Sequence, residues 1–394
     1  MKFSCNTASL LQALQVVSRA ISGQQALPIL GNILLHAEGK RCTISATDLE
    51  LSIVTSFDAA IESEGSITVP AKAIVNFAQY TSDPEVVLET VEGTQVKCIS
   101  KHSKTNLSGE RASEYPTITP VEKKISFSVN AHDLLQALHL VTFTCARTSL
   151  RPVLSGVSVR TEGGKLILVG TDSYRLSEYI LEANVQDEIS CIIPVKVLEE
   201  VKAAISSQKT KPIRLVQSET SETDEKIDEV PHVQVTLSAQ QVELQVGQTR
   251  FLSRLIEGKF PDYRQIIPKE VSVRSVIALH EFTTTVRRMH YFAKEVNNNL
   301  TFVLKSGDAT ITDAGIQIHT PQTPLGKDEA SITAETSGGD AKIALSSSYL
   351  LDFLSHIDDT NVELRVVDSM HPAVFVLPNT PHFLHLIMPL RMQD

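Results

Sequence analysis

Apolar positions along the first hundred residues follow two different periods. Leu10, Leu11, Leu14, Val17 and Ile21 recur at helical spacing, with Asn6 or Thr7 ahead of them as a cap, which predicts an amphipathic helix over residues 8–21. The short runs at 33–36, 42–46 and 51–57 read instead as strands, separated by Glu38-Gly39-Lys40 and Thr47-Asp48, residue types that turn the chain. Val69-Pro70 leads into a second helix over 71–81. Pro70 suits a position just ahead of that helix, where an amide hydrogen would have no partner. Strands resume at 86–88 and 96–100, and the unit closes near Tyr115-Pro116.

The same pattern returns. At a shift of 124 residues, 3–17 (FSCNTASLLQALQVV) lies on 127–141 (FSVNAHDLLQALHLV) with nine of fifteen positions identical. Without a gap, the shift also places Pro28-Ile29-Leu30 on Pro152-Val153-Leu154, Thr47-Asp48 on Thr171-Asp172, and Val69-Pro70-Ala71-Lys72 on Ile193-Pro194-Val195-Lys196. A third copy rests on element order: Leu279-His280-Glu281-Phe282 opens a helix as Ala131-His132-Asp133-Leu134 does, and 344–357 takes the slot of the second helix. Three domains are therefore expected, at 1–121, 122–268 and 269–394, each of ordinary domain size. Two helices cannot cover both faces of a sheet with so many strands, so the fold class is α+β, with two helices on one face of an antiparallel sheet in each copy.

Composition changes the picture only in part. The 394 residues are 42% apolar and 21% charged, with net charge -10, which on average argues against a nucleic-acid binder. No tryptophan and 5% aromatics argue against a stacking platform for single-stranded bases. The average hides a partition. Helix candidates at 8–21, 71–81, 132–147, 195–207, 280–294 and 346–357 hold eight basic residues (Arg19, Lys72, Arg147, Lys196, Lys202, Arg287, Arg288, Lys294) and five acidic ones (Asp133, Glu199, Glu200, Glu281, Asp352). They come out at +3, leaving -13 for the remainder. Residues 217–231 carry six acids against Lys226 and read as a solvated loop between strands, with a regulatory acidic tail as the lesser reading.

Cys5, Cys42, Cys98, Cys145 and Cys191 are odd in number and widely spaced, with no zinc-like cluster, and read as buried thiols in a reducing cytosol. No apolar run reaches the roughly 18 residues of a membrane span, so no membrane association is expected. Residues 2–17 resemble a short signal peptide, but Gln12 and Gln15 interrupt the apolar run and the segment recurs in mid-chain.

Catalytic patterns fail one by one. There is no phosphate-cradling glycine loop and no G-x-S-x-G elbow, and Thr284 stands where a zinc helix opened by His280-Glu281 needs its second histidine. His382 and His385 sit on a strand-like run that sends them to opposite faces. The repeated Asp48 and Asp172 are the best acid–base candidates, yet recurrence at one place in two copies favours turn-capping carboxylates. No metal or cofactor is expected.

Leu27 to Asn32 (LPILGN), Thr47-Asp48-Leu49-Glu50, residues 170–176 (GTDSYRL), 258–264 (GKFPDYR) and 388–392 (MPLRM), in this order on a threefold repeat, resemble the bacterial DNA polymerase III beta subunit, the sliding clamp, over the whole chain. The resemblance implies a head-to-tail homodimer closing a ring around duplex DNA, helices inward, acting as a non-enzymatic, cytoplasmic processivity factor. It implies, as partners, the DNA polymerase III catalytic subunit, a clamp loader, and other motif-bearing polymerases and repair proteins. Holding DNA by topology needs only weak phosphate attraction and no base readout.

The family's groove for short partner motifs would fall on Leu154, Thr171, Ser173, Tyr174, Arg175 and Leu176, then Pro261 and Ile266, then Ser346, Tyr349 and Met370, and finally Met388, Pro389, Leu390 and Arg391. Read without the family, most of these are core positions. The family pattern often has Gly-His where this chain has Ser173-Tyr174. Matching DNA positions are Gln24, Lys72, Thr148, Pro152 and Val153, to which Arg147, Lys196 and Lys202 add charge. The dimer contact would join the strand near Lys104 and Leu107 to Tyr291 and Phe292, which read equally as domain core. Two other readings are a clamp paralogue with an altered groove and an acidic three-domain enzyme whose site lies between copies.

Overall fold

In a computed structural model of the chain, residues 22, 24–26, 148–149, 209–230, 307–314 and 393–394 fall outside the described residues. Gln24, Thr148 and all of the acidic stretch except Pro231 are among them. Two compact units form: Met1–His132 with Lys196–Leu255, and Asp133–Val195 with Ile256–Asp394. The division cuts through the middle copy of the repeat.

Six α-helices are described: α1 (Thr7–Ser18), α2 (Ala71–Gln79), α3 (Ala131–Val141), α4 (Val195–Gln208), α5 (Leu279–Ala293) and α6 (Ser347–Leu354). Asn6 caps α1, its side chain accepting from the amide of Ser9 at 3.1 Å. Several helices stop earlier than periodicity predicts. Past Ser18 the amides of Arg19, Ala20 and Ile21 bond three residues back, tightening the last turn so that α1 ends before Ile21. α3 ends at Val141, not 147. The Thr142 and Thr144 hydroxyls donate to the carbonyls of Leu138 (2.8 Å) and Val141 (2.7 Å), and a single 3₁₀ turn follows. Ser346 caps α6, which ends at Leu354 rather than 357.

These shorter bounds overturn the expected charge partition. Lys72, Lys196, Lys202, Arg287 and Arg288 remain inside helices against the same five acids, so the helices are neutral rather than +3. Arg19 and Lys294 are C-caps, where a cation meets the negative end of the helix dipole, and Arg147 lies beyond the 3₁₀ turn. Three of the five retained cations are also paired: Lys196 with Asp48, Lys202 with Glu199, Arg288 with Asp328.

The first unit holds a nine-stranded antiparallel sheet and a five-stranded one, the second a nine-stranded sheet and a four-stranded one. Each copy of the repeat builds one half-sheet in a single spatial order. It runs Gly65–Pro70, Asn32–Glu38, Arg41–Thr47, Leu51–Asp58 in the first copy and Ser190–Pro194, Gly156–Glu162, Lys165–Thr171, Arg175–Glu182 in the second. In the third it runs Ala341–Ser346, Asn299–Lys305, Gly315–His319, Glu329–Ile332. The third copy, faint in sequence, is thus explicit in strand order. Strands Lys2–Asn6 and Gly65–Pro70 were not foreseen; the second passes straight into α2 with Pro70 as its cap.

Both nine-stranded sheets arise at a joint between copies. Leu51–Asp58 pairs with Thr249–Arg254 in the first unit, with Val54 opposite Arg250, and Arg175–Glu182 pairs with Thr380–Ile387 in the second, with Leu176 opposite Leu386. Among the described residues, two strands of these same kinds end their sheets without such a partner: Lys104–Ser108 in the first unit and Glu329–Ile332 in the second. Apolar side chains cover each joint, Val54, Val121 and Leu252 in the first unit, and Ile167, Val169, Leu176, Tyr263, Val374 and Leu386 in the second.

Candidate functional site

Thr171-Asp172 opens the turn between strands Lys165–Thr171 and Arg175–Glu182, and its side chains organise the backbone. The Thr171 hydroxyl donates to the Arg175 carbonyl (2.6 Å) and accepts from the Ser173 amide (3.1 Å). Asp172 Oδ1 accepts from the amides of Tyr174 (2.9 Å) and Arg175 (3.0 Å). Asp172 is therefore a turn cap, as is Asp48, which takes the amides of Glu50 and Leu51. Ser173 is left-handed at φ 82°. The turn leaves Tyr174 62% exposed.

Arg175 follows with only 8% exposure, and every arm of its guanidinium is occupied. Nε donates to Asp172 Oδ2 (3.0 Å), Nη1 to Asp352 Oδ2 (2.5 Å) and Nη2 to the Phe143 carbonyl (2.9 Å). Its guanidinium carbon also lies over two rings, 4.9 Å from the Tyr349 centroid and 5.4 Å from that of Phe143. Tyr174 stacks outside Tyr349 at 6.3 Å, and His356 stacks on Phe143 at 4.2 Å. The result is a run of pairwise contacts among planar groups, from the exposed Tyr174 to His356. Burial, with Asp172 nearby, raises the Tyr349 phenol above its usual range. Phe143, Asp352 and His356 were not anticipated as site residues; the i, i+3 spacing of Tyr349 and Asp352 and the i, i+4 spacing of Asp352 and His356 are signals that could have joined them.

Strand alternation sends Leu176 to the face opposite Arg175. There it joins the cluster with Tyr263, against which Phe260 and Ile267 also pack, so Ile266 ends, and Pro261 shortly precedes, a 3₁₀ turn (Tyr263–Ile266) anchored on that side. The Tyr263 hydroxyl donates to Glu178 and accepts from Arg160 Nη1 at 2.9 Å; burial foremost, then Glu178, pushes this phenol far up. Gly258 must be glycine: at φ 131° a Cβ would lie 2.6 Å from Val153. The last described segment ties the two sheets of this unit together. The Met388 amide donates to the Tyr174 carbonyl (2.8 Å), that of Leu390 to Ala344 (2.8 Å), and Asn299 Nδ2 to the Arg391 carbonyl (3.0 Å).

The fifteen predicted groove positions thus divide, with Pro261 and Arg391 exposed. Thr171, Ser173, Tyr174, Arg175, Tyr349, Met388 and Leu390 take part in the bonds and stacks above, Thr171 and Arg175 being buried as well, whereas Leu154, Leu176 and Ser346 are buried. Ile266 is 42% and Met370 79% exposed, Met370 sitting in a turn capped by Asp368. Pro389 lies between the bonded Met388 and Leu390. Of the DNA candidates, Lys72 is exposed at the start of α2, Arg147 is exposed, and Pro152 and Val153 form the 3₁₀ turn Pro152–Leu154. Leu107 is buried rather than available as a contact side chain, because alternation along Lys104–Ser108 turns it inward; Lys104 and Tyr291 are exposed and Phe292 half-buried. His382 is exposed and His385 fully buried, on opposite faces of one strand. Four cysteines are buried and Cys191, read as buried, is intermediate. Burial raises the Cys5, Cys98 and Cys191 thiols to about 12, so they are poor nucleophiles. Among the described residues no cluster of three metal-ligating side chains occurs, and no helix is long and apolar enough to cross a membrane.

A threefold repeat of one half-sheet order, joined twice into nine-stranded sheets, defines a three-domain clamp fold. Family models of the DNA polymerase III beta subunit match it end to end: the N-terminal domain at residues 1–119, the central domain at 128–262 and the C-terminal domain at 264–391. The chain belongs to the DNA polymerase III beta subunit family. It is 26% identical over 403 residues to the beta sliding clamp of Synechocystis sp., covering 100% of both chains, and 27% identical over 400 residues to that of Staphylococcus aureus, covering 99% of both. Solved structures similar over 100% of both chains include the DNA polymerase sliding clamp from Bacillus subtilis (TM-score 0.87, 23% identity) and the DNA polymerase III subunit beta from Pseudomonas aeruginosa (TM-score 0.88, 25% identity).

Proposed function

We propose that this chain is a DNA sliding clamp: a processivity factor that encircles duplex DNA and tethers the DNA polymerase III catalytic subunit at the primer end. The observation that carries the reading is the pair of unmatched end strands. Two joints inside the chain pair the fourth strand of one copy's half-sheet with the last strand of the next copy. One fourth strand, Glu329–Ile332, and one strand of the other kind, Lys104–Ser108, are left over. Two chains joined head to tail make the same joint twice more, and a heterologous contact whose rotation closes gives a ring. Tyr291 gains burial at such a contact. The domains run 1–121, 122–268 and 269–394.

Encirclement makes the net charge of -10 compatible with DNA, since a topological link needs no large counterion release. Lys72, Arg147, Lys196 and Lys202, with Pro152 and Val153, are the residues proposed to meet DNA. Tethering raises the polymerase's effective concentration at the primer without any chemistry by the clamp, so no catalytic residue is assigned. The groove at the second joint, from Tyr174 and Arg175 to Met388 and Arg391, takes short linear motifs from the polymerase, a clamp loader, and other polymerases and repair proteins in the cytoplasm.

The test is retention on circular DNA. Loaded clamp stays on a nicked circle and leaves when the circle is cut, because only topological binding depends on free ends. A stable monomer of 43.2 kDa that does not distinguish circles from linear DNA overturns the reading.

A further inference from the structure

The two joints inside the chain share one register, and the ladders of the three copies fix it residue by residue. On one side a rung is counted from the second helix. Asn32, Gly156 and Asn299 lie opposite Pro70, Pro194 and Ser346, the last position before that helix in each copy. Two residues further on, the ladder runs from Leu34 through Ser45 to Val54, from Ser158 through Val169 to Glu178, and from Thr301 through His319 to Glu329. Val54, Glu178 and Glu329 therefore hold one place on the fourth strand of the three half-sheets.

The opposing strands are counted from the first helix. Phe3, Phe127 and Ser275 each stand four residues before its start at Thr7, Ala131 and Leu279. From them the ladders lead through Leu88 and Cys98 to Thr105, through Val235 and Leu244 to Phe251, and through Leu364 and Phe375 to His385. The residues just before these, Lys104, Arg250 and Leu384, hold one place in turn. Val54 lies opposite Arg250 at the first joint, and Glu178 opposite Leu384 at the second. Both joints match the same two places. The third such pair, Glu329 and Lys104, stays unmatched within one chain, and it sets opposite charges on two exposed side chains.

Taking the two end strands as the subunit contact, as the ring reading does, we propose that this contact repeats the internal register and seats Glu329 of one chain directly opposite Lys104 of the next, as an ion pair that selects the head-to-tail arrangement. Opposite charges facing each other across a ladder attract and like charges repel. A heterologous ring of two chains contains the pair twice. Among the described residues Lys104 makes no ion pair, and Glu329 gives Oε1 to Lys327 at 2.7 Å, leaving Oε2 for a second cation. The strand enters the joint already anchored. Arg288 of α5 holds the two carboxylate oxygens of Asp328 at 3.1 Å each, and the same register places Asp328 opposite Thr105.

The dissociation constant of the full-length dimer, measured by analytical ultracentrifugation for the wild type, Glu329→Lys, Lys104→Glu and the double exchange, tests the pair. Each single change puts like charges at both contacts and should weaken the dimer about tenfold, while the double exchange should return it to within about threefold of the wild type. Single changes without effect, or a double exchange no better than either single one, overturn the pair. Register is read by oxidising the variant carrying both Glu329→Cys and Lys104→Cys. Residues directly opposite in an antiparallel ladder lie within disulfide reach, and a slip of two residues takes them out of it. A covalent dimer is expected. If it forms instead from Glu329→Cys with Asn106→Cys, the register falls and the ring reading stands. A wild type that remains monomeric overturns the ring reading and this contact together.

Discussion

The turns at 47–51 and 171–175 occupy the same place in two copies, one in each unit, and they share nearly every backbone feature. Thr47 donates to the Leu51 carbonyl at 3.1 Å and Thr171 to that of Arg175 at 2.6 Å. Each accepts from the amide two residues on, and the residue there is left-handed in both, Leu49 at 78° and Ser173 at 82°. Their fifth positions differ. Leu51 is 1% exposed and apolar, whereas Arg175 brings a buried charge that recruits Asp172, Asp352, Tyr349 and Phe143. Asp48, with no arginine to hold, gives its second oxygen to Lys196 at 2.5 Å. Thr-Asp dictates the shape of the turn, and one side chain decides whether it is scaffold or site.

The largest expected effect comes from making the second turn resemble the first. Arg175→Leu strands Asp172 and Asp352 without their cation and should cost about 3 kcal/mol in denaturant unfolding of the second unit, with loss of polymerase binding. A change below about 1 kcal/mol would mean the guanidinium is not structural. Thr47→Val and Thr171→Val each remove the hydroxyl that serves a carbonyl and an amide, and each should cost about 2 kcal/mol. Clearly unequal losses would break the equivalence of the two turns.

Acid should separate the units. His385 stays neutral in the folded second unit, while in the unfolded chain it takes a proton below about 6.5. Stability there falls as pH drops, by about 1.4 kcal/mol per pH unit. His290 and His319 shift in the same direction, His290 by burial and Lys294, His319 by burial and Lys342. In the first unit all described histidines are exposed, so hydrogen-exchange protection, corrected for the intrinsic rate at each pH, should fall between pH 6.5 and 5.5 in the second unit alone. The smallest effect is expected from Leu49→Gly and Ser173→Gly, which relieve left-handed backbone against the entropy of a new glycine, for a net gain of about 0.5 kcal/mol in either unit. A loss at Leu49 alone would show that its half-exposed side chain packs usefully.

Much of this was legible in residues. The ungapped diagonal placed Thr47-Asp48 on Thr171-Asp172, and the structure gives both pairs one hydrogen-bond pattern. Helix cores were readable from spacing, but their ends were not. Thr142 and Thr144 terminate α3 through bonds to carbonyls that periodicity does not weigh, and three misplaced cations, Arg19, Arg147 and Lys294, were enough to turn a neutral set of helices into an apparently basic one. The proposed groove was legible only through the family pattern, which names positions but not their faces: Arg175 and Leu176 are neighbours in sequence and point apart.

Local sequence determined what depends on neighbours along the chain: the repeat, the helical and strand periods, the Thr-Asp turns and the glycine of GKFPDYR. Tertiary structure alone decided what depends on distant segments meeting. Asp352 reaches Arg175 across 177 positions and His385 reaches Ser177 across 208, and no spacing rule extends so far. Which end strands remain unmatched is likewise a property of the sheets, because a strand's partner is set by the hydrogen-bonding edge it meets and not by its own residues.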